Sequence, residues 1–304
     1  MGLIPLAFKI VIFDLDGVLV PIESSWQYVH NAFGRDNDGS YKRYMRGLID
    51  FPEFVRLDVA LWNGASIEEI RKILDKVQLT KGAREVVKTL HEMGVRTAIL
   101  SSGISLLADR VGQELGIDRV YANRLMADTN GRLSGELEAI VPLFEKHRII
   151  QRILNEEKVS SRECVIVGDN AFDIPLFGDV GLSIAFNSKN SDSTIKADVS
   201  ITGEDLRSII PWLTSGSPNK IAIRLATTMR EAKTIAVVLS PDNIKMPQGL
   251  HITVSLENRN VCVKIVSVRG LGTLLATIDE ILSCSQMAIS SINMAKSIRV
   301  TKTI

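Results

Sequence analysis

Residues 8–17 read Phe-Lys-Ile-Val-Ile-Phe-Asp-Leu-Asp-Gly, and the first six of them decide the fold. The run 8–13 is short, β-branched and almost wholly apolar. That is the composition of a strand buried on both faces, as in a parallel sheet. It stops abruptly at Asp14-Leu15-Asp16-Gly17, so two carboxylates stand where such a strand would end.

Working outward, residues 24–77 change character. Trp26, Tyr28 and Val29, then Tyr41, Tyr44 and Met45, then Phe54, Leu57 and Leu61 recur at helical spacing, and 67–74 continues the pattern. This predicts a helical cap, residues 22–80, inserted after the first strand. A βα rhythm follows. Helices are expected at 83–93, ended by Gly94, and at 106–115, ended by Gly116. A buried strand at 95–100 leads into Ser101-Ser102-Gly103. Residues 121–128 and 132–137 flank Thr129-Asn130-Gly131, a hairpin signal. A helix from Lys146 to 155, a strand at 163–167 leading into Gly168-Asp169-Asn170, the start of a helix at 174–177 and a strand at 182–186 complete the series. Alternating strands and helices imply an α/β fold, a doubly wound Rossmann-like parallel sheet. Ligands of such sheets bind at the carboxyl ends of the strands.

The chain has 304 residues, enough for two domains. Thr214-Ser-Gly-Ser-Pro-Asn reads as a linker between a domain at 1–213 and another at 219–304. In the second, strands are expected at 220–226, 251–256 and 261–268. The last two surround a hairpin turn at 257–260. A helix at 229–239 is closed by 240–243. A long helix at 271–294 would carry Leu271, Leu274, Leu275, Ile278, Ile281 and Leu282 on one face. The result is a small C-terminal α+β domain of β-α-β-β-α order.

Composition narrows the function classes. The formal net charge is +1, so no electrostatic footprint for direct nucleic-acid binding is predicted. Cys164, Cys262 and Cys284 are far apart and form neither a disulfide framework nor a zinc motif. Reduced thiols suit the cytosol. The apolar run 1–8 lacks a basic n-region and a small-residue cleavage site. No stretch is long enough to span a bilayer. A cytoplasmic protein without a membrane partner is expected.

Four separated pieces carry chemistry together: Asp14 with Asp16, Ser101 with its neighbour Ser102, Lys146, and Asp169 with Asp173. Singly they are ordinary. A lone Asp-x-Asp is more often a surface turn, a lone Gly-Asp-x-x-x-Asp a helix cap, and Lys146 alone a solvated helix residue. Jointly they are what phosphoryl transfer through a covalent intermediate needs. A carboxylate can attack phosphorus, and hard oxygen ligands bind Mg²⁺. A lysine and a hydroxyl can hold phosphoryl oxygens, and a second carboxylate can move the proton.

Phe13–Val20 (FDLDGVLV), 99–103 (ILSSG), the Lys146 helix and 167–177 (VGDNAFDIPLF) resemble the four motifs of the haloacid dehalogenase superfamily. Their order, the insertion after the first motif, 122–125 (ANRL, with Asn123) and 181–189 (GLSIAFNSK) resemble its phosphoserine phosphatase group over residues 8–213. The resemblance implies a Mg²⁺-dependent phosphomonoester hydrolase working through an aspartyl-phosphate. In it Asp14 is the nucleophile. Asp16 is the acid/base, its backbone carbonyl helping to bind Mg²⁺, and Asp169 is the third metal ligand. Asp173 orients Lys146 or metal-bound water, Ser101 or Ser102 binds phosphate, Gly103 lies in the phosphate-binding turn, and Lys146 neutralises charge. For the substrate, Glu23 matches the group's amino-binding glutamate. The arginine region lines up with 51–62, but Asp58 occupies the expected position and Arg56, the nearest candidate, stands two residues earlier, half a helical turn away. Asp58 would repel a substrate carboxylate, and Phe172 replaces a polar residue. The substrate expected is phosphoserine or another small phosphate ester.

Residues 239–250 (LSPDNIKMPQGL) and 272–288 (GTLLATIDEILSCSQMA) resemble the small dimerising subunit of the KEOPS tRNA-modification complex, over 219–297. That resemblance implies a homodimer through the C-terminal domain and a KEOPS kinase-like partner. A generic dimerisation domain, and an assembly subunit in which the phosphatase is secondary, are the alternatives.

Overall fold

The computed structural model describes residues 7–62, 64–138, 141–178, 180–240, 246–257 and 260–297. The expected closure at 240–243 and turn at 257–260 fall partly outside these residues. The chain divides into two compact units, Met1–Leu213 and Thr214–Ile304. Among the described residues no helix is long and apolar enough to cross a membrane.

The first unit is built on a seven-stranded sheet. Its strands are β1 (Ile10–Phe13), β2 (Arg96–Ile104), β3 (Arg119–Ala127), β4 (Leu133–Glu138), β5 (Cys164–Gly168), β6 (Leu182–Phe186) and β7 (Val199–Ile201), in spatial order β4-β3-β2-β1-β5-β6-β7. All neighbours are parallel except β4, the antiparallel edge. Every residue of β1 is buried, as its uninterrupted apolar run requires. Ile12 pairs in register with Ala98 of β2 and Ile166 of β5. The chain leaves β1 in one direction towards β2 and returns on the other side as β5. The carboxyl end of β1 is therefore the switch point at which open α/β sheets bind ligands.

Four helices, α1 (Ser25–Ala32), α2 (Asp38–Met45), α3 (Phe51–Ala60) and α4 (Ile67–Leu74), form the cap between β1 and β2. Their starts are chemically marked. The Ser24 hydroxyl accepts from Gln27 N–H, Asp50 accepts from Glu53 N–H, and Ser66 forms a reciprocal capping box with Glu69. The β3–β4 hairpin props the cap: Ile67 N–H donates to Gly131 O and Leu133 N–H to Ala65 O. The remaining helices are α5 (Ala83–Glu92), α6 (Ser105–Leu115), α7 (Lys146–Glu156), α8 (Ile174–Phe177), α9 (Ser191–Lys196) and α10 (Ile210–Thr214).

Three details differ from the sequence reading. The strand expected to end before Ser101 runs on to Ile104, with a register shift against β3 between Leu100 and Ile104. That irregularity turns the serines out of the ladder, as bulges near active sites do. The helix expected from Ile174 is a single turn, preceded by a 3₁₀ turn at Ala171–Asp173. The short α9, β7 and α10 span too few residues to show a readable period.

In the second unit β8 (Asn219–Ala226), α11 (Met229–Leu239), β9 (Leu250–Glu257), β10 (Asn260–Ser267) and α12 (Leu271–Ser297) follow one another. The strands form an antiparallel sheet of order β8-β10-β9. Val261, Val263 and Ile265 pack with Ala232 and Ile235 of α11 and Leu274, Ile281 and Ala288 of α12. The six-residue face expected on α12 splits in two. Leu274 and Ile281 are buried and Ile278 packs beside them, but Leu271, Leu275 and Leu282 are exposed. A helix lying on a sheet covers one stripe, and the leucines one residue round the helix fall outside it.

Candidate active site

Asp14 is the first residue beyond β1, and its N–H donates to Val167 O at 2.9 Å, which pins it to the end of β5. Its carboxylate is buried. Oδ1 accepts from Leu15 N–H at 2.7 Å. Oδ2 accepts from Lys146 Nζ at 2.6 Å. The same ammonium reaches Asp173 Oδ1 at 2.8 Å. Lys146 opens α7 and is 3% exposed, so it is committed to these two acids. Asp173 is held in turn by the N–H groups of Asp169 and Asn170. Asn170 donates to Asp169 Oδ1 at 2.8 Å and to Asp14 Oδ2 at 3.4 Å.

Asp16 faces the other way. Its Oδ2 accepts from both N–H and Oγ of Ser25, at 2.8 and 2.9 Å, at the start of α1. Its Oδ1 is buried without a protein partner. Two glycines make this close approach feasible. Gly17 has φ +78°, and a Cβ there would lie 2.1 Å from Asp169 Oδ2. A Cβ on Gly103 would lie 2.4 Å from Ser25 Oγ and 2.8 Å from Asp16 Oδ2. Only glycine lets the two loops meet over the carboxylates.

The end of β2 supplies the hydroxyls. Ser101 Oγ accepts from Gly103 N–H at 2.9 Å, which curls the turn. Ser102 Oγ is buried with no protein partner. The Ser102 carbonyl is fixed from two sides, by Trp26 Nε1 at 3.1 Å and Asn123 Nδ2 at 2.9 Å. Ser25, Trp26 and Asn170 are site residues that the sequence reading did not single out. The one signal was their proximity to motifs, Ser24-Ser25-Trp26 just after Asp-x-Asp and Asn170 inside Gly-Asp-x-x-x-Asp.

Ligand oxygens of Asp14, Asp169 and Asp173 lie within 4.8 Å of one another. Burial pushes the Asp14 carboxyl up to about 7; the attraction of Lys146 opposes this and the charge of Asp173 adds to it. Asp169 is pushed up to about 8 by burial and then by the charges of Asp14 and Asp173. Burial pulls the Lys146 ammonium down, but Asp14 and Asp173 more than offset it and hold it above its ordinary range. One lysine thus cannot neutralise three clustered carboxylates. Burial also raises Asp16, against the two Ser25 hydrogen bonds. An all-oxygen, charge-deficient cluster suits a hard divalent cation such as Mg²⁺. The Asp16 side chain does not join the cluster, whose third carboxylate is Asp173.

A stability signature follows. Raised carboxyls of this kind keep in the folded protein protons that the unfolded chain has lost, from about pH 4 to about pH 7 on Asp14 and to about pH 8 on Asp169. Stability without metal therefore falls as pH rises through that window. At pH 8, saturating Mg²⁺ is expected to raise Tm by about 5 °C, and at pH 5 by much less. Thermal scans with and without EDTA check both.

The site opens into a cavity of about 400 Å³ beneath the cap. Asp14, Asp16, Ser101, Ser102, Gly103 and Lys146 line its floor. Glu23 lies on its rim, exposed and ion-paired with Lys189, which holds its carboxyl below the usual range. Arg56 is not brought to the site. It pairs with Glu53 on α3 through Nε and Nη2, at 2.8 and 2.9 Å, and is exposed. The half-turn offset carries it away from the cavity. Asp58 is also not where its sequence position suggested. It is 1% exposed and accepts from Ser40 Oγ at 2.7 Å, Asn37 Nδ2 at 2.7 Å and His30 Nε2 at 3.2 Å. Trp62 Nε1 donates to His30 Nδ1 at 3.0 Å, which places the imidazole proton on Nε2, towards Asp58. Asp58 is therefore a tie between α1, α2 and α3 and does not meet a substrate.

Residues 8–181 match the model of the haloacid dehalogenase-like hydrolases. A phosphoserine phosphatase of Archaeoglobus fulgidus is 36% identical over 200 residues, 65% of this chain and 58% of that protein. One of Methanocaldococcus jannaschii is 31% identical over 207 residues, 67% of this chain and 97% of that protein. A solved substrate-bound phosphoserine phosphatase complex superposes with a TM-score of 0.59 at 30% identity, over 68% of this chain and 99% of its own. A phospho-aspartyl intermediate analogue of phosphoserine phosphatase gives the same values.

Proposed function

The chain belongs to the haloacid dehalogenase-like hydrolase family, and from that premise we propose that it is a Mg²⁺-dependent phosphatase that hydrolyses small phosphomonoesters through an aspartyl-phosphate on Asp14. The observation that carries this reading is the convergence at the end of β1. Asp14, Lys146, Asp169 and Asp173 meet there, facing Asp16 and the Ser101–Ser102 turn across one cavity. Relatives carry the name phosphoserine phosphatase, which supports a small phosphate ester as the substrate class.

The roles follow from position. Asp14 attacks phosphorus, and the bond between phosphorus and the alcohol oxygen breaks. Asp16, raised by burial and with Oδ1 free of protein partners, gives the departing oxygen its proton. Water then attacks the aspartyl-phosphate, Asp16 takes its proton, and inorganic phosphate leaves Asp14 free. Ser101 and Ser102 hydroxyls hold phosphoryl oxygens. Lys146 holds Asp14 in place and offsets its charge. A Mg²⁺ ion held by Asp14, Asp169 and the Asp16 carbonyl, with Asp173 beside it, would supply counter-charge to the phosphoryl oxygens.

A panel of phosphate esters assayed with Mg²⁺ and with EDTA tests the reading. Metal-dependent release of phosphate and an acid-trapped, hydroxylamine-labile phosphoenzyme are expected. No turnover of any ester overturns it.

For the C-terminal unit we propose self-association. Leu271, Leu275 and Leu282 of α12 and Val237 and Val238 of α11 are exposed large apolar side chains, of the kind that partners cover. No observation on the described residues favours a KEOPS kinase-like partner over a second copy. Leu275→Glu with Leu282→Glu is expected to convert a dimer to a monomer in sedimentation velocity. A wild type that sediments as a monomer refutes the proposal.

A further inference from the structure

Much of the cavity lining is apolar and mostly aromatic. Trp26, Tyr41, Phe51, Phe54, Leu143 and Phe172 belong to it. The rings form a connected series from cap to core. Tyr44 lies 5.8 Å from Phe51 and 4.9 Å from Phe54, where the planes are 7° apart. Tyr44 is 5.6 Å from Phe144, and Phe144 is 5.3 Å edge-on to Phe172. Phe144 and Tyr41 remain partly open to solvent, and Tyr41 also lines the cavity. Phe172 stands between Asp169 and Asp173 in sequence and lines the cavity.

The charges point the same way. Among the described residues lining the cavity, Lys146 is the one cationic side chain, and it is spent on Asp14 and Asp173. Arg56 faces away, paired with Glu53. At the rim, Glu23 and Asp38 are acidic, and the lysines near them, Lys189 and Lys42, are each ion-paired to them. A substrate carboxylate entering here would leave water for aromatic walls and acids without gaining a cation, a costly exchange. An uncharged ring would gain stacked and edge contacts instead.

We propose that this cap selects phosphomonoesters whose leaving alcohol carries an uncharged aromatic group, and discriminates against the carboxylate of phosphoserine. The inference rests on the phosphatase reading of Asp14 and narrows it.

The test compares kcat/KM for 2-phenylethyl phosphate, O-phosphoethanolamine and O-phosphoserine on the full chain with Mg²⁺. All three are alkyl esters, so the difference reports the wall more than the leaving group. p-Nitrophenyl phosphate, whose leaving group is activated, monitors the chemistry. 2-Phenylethyl phosphate is expected to exceed O-phosphoserine by about 100-fold, with O-phosphoethanolamine, which lacks only the carboxylate, between them. Phe172→Asn is expected to shrink the ratio of first to last about tenfold. Turnover of p-nitrophenyl phosphate together with equal or faster turnover of O-phosphoserine than of 2-phenylethyl phosphate overturns the inference and leaves the phosphatase reading standing. A ratio unmoved by Phe172→Asn overturns the role of the aromatic series. No turnover of any ester overturns the phosphatase reading and this inference with it.

Discussion

Asp14→Asn is expected to lower kcat for every phosphate ester by about 10⁴-fold or more, and to abolish the trapped phosphoenzyme. The amide keeps the shape of the carboxylate and an acceptor for Leu15 N–H at Oδ1. It cannot attack phosphorus, and its NH₂ group faces the Lys146 ammonium where Oδ2 accepted a hydrogen bond. The fold should tolerate the change. One negative charge leaves a cluster that holds three carboxylates within 4.8 Å, which compensates for the lost ion pair. A Tm within a few degrees of wild type, with activity absent, is the expected pair of results. A variant that still turns over substrate at more than about one hundredth of the wild-type rate would place the nucleophile elsewhere.

Lys146→Met is expected to be damaging in both respects. The ammonium is 2.6 Å from Asp14 and 2.8 Å from Asp173, and all three side chains are buried. Removing one partner of a buried ion pair costs about 3–5 kcal/mol, because the remaining charge is left uncompensated. Here two acids lose their cation. Denaturant unfolding in EDTA should show that loss, and it should shrink in acid, where the carboxyls are protonated. Mg²⁺ should restore part of the stability, since a cation in the cluster replaces some of the missing charge. It should not restore kcat, expected to be about 10²–10³-fold down, because Asp14 is then no longer held and neutralised by a lysine. The double variant Asp14→Asn with Lys146→Met should be less destabilised than the two single changes predict together, as contacting residues are not additive.

The cap shows how a sequence position can mislead about direction. Asp58 lines up with the position of a substrate-binding residue, yet it sits in a closed network with His30, Asn37 and Ser40. A buried carboxylate must be paired to be tolerated, and here the pairing comes from three different cap segments. The network also reaches the floor of the site. Trp62 donates to His30 and stacks on Trp26 at 5.7 Å, and Trp26 donates to the Ser102 carbonyl. Cap folding and the set of the Ser101–Gly103 turn are thus one packing problem.

What the amino-acid sequence by itself determined here is the α/β class and the chemistry on offer. The apolar run 8–13 has no polar face to expose, so it had to lie in the middle of a sheet, and the parallel rhythm after residue 83 put its neighbours beside it. Once that sheet is assumed, the acids and serines after strand ends fall at one edge, which is why Asp14, Asp169, Lys146 and Ser101 could be named together. Only the tertiary structure decided which groups touch. Ser25 holds Asp16, Asn170 spans Asp14 and Asp169, Arg56 turns outward, and rings from residues 44, 51, 54, 144 and 172 join in one series. Local period tells which face of an element a residue occupies. It carries no information about the residue a hundred positions away that will fill the facing space. The carboxylate proposed as nucleophile was therefore legible at Asp14, and the packing of the cap above it was not.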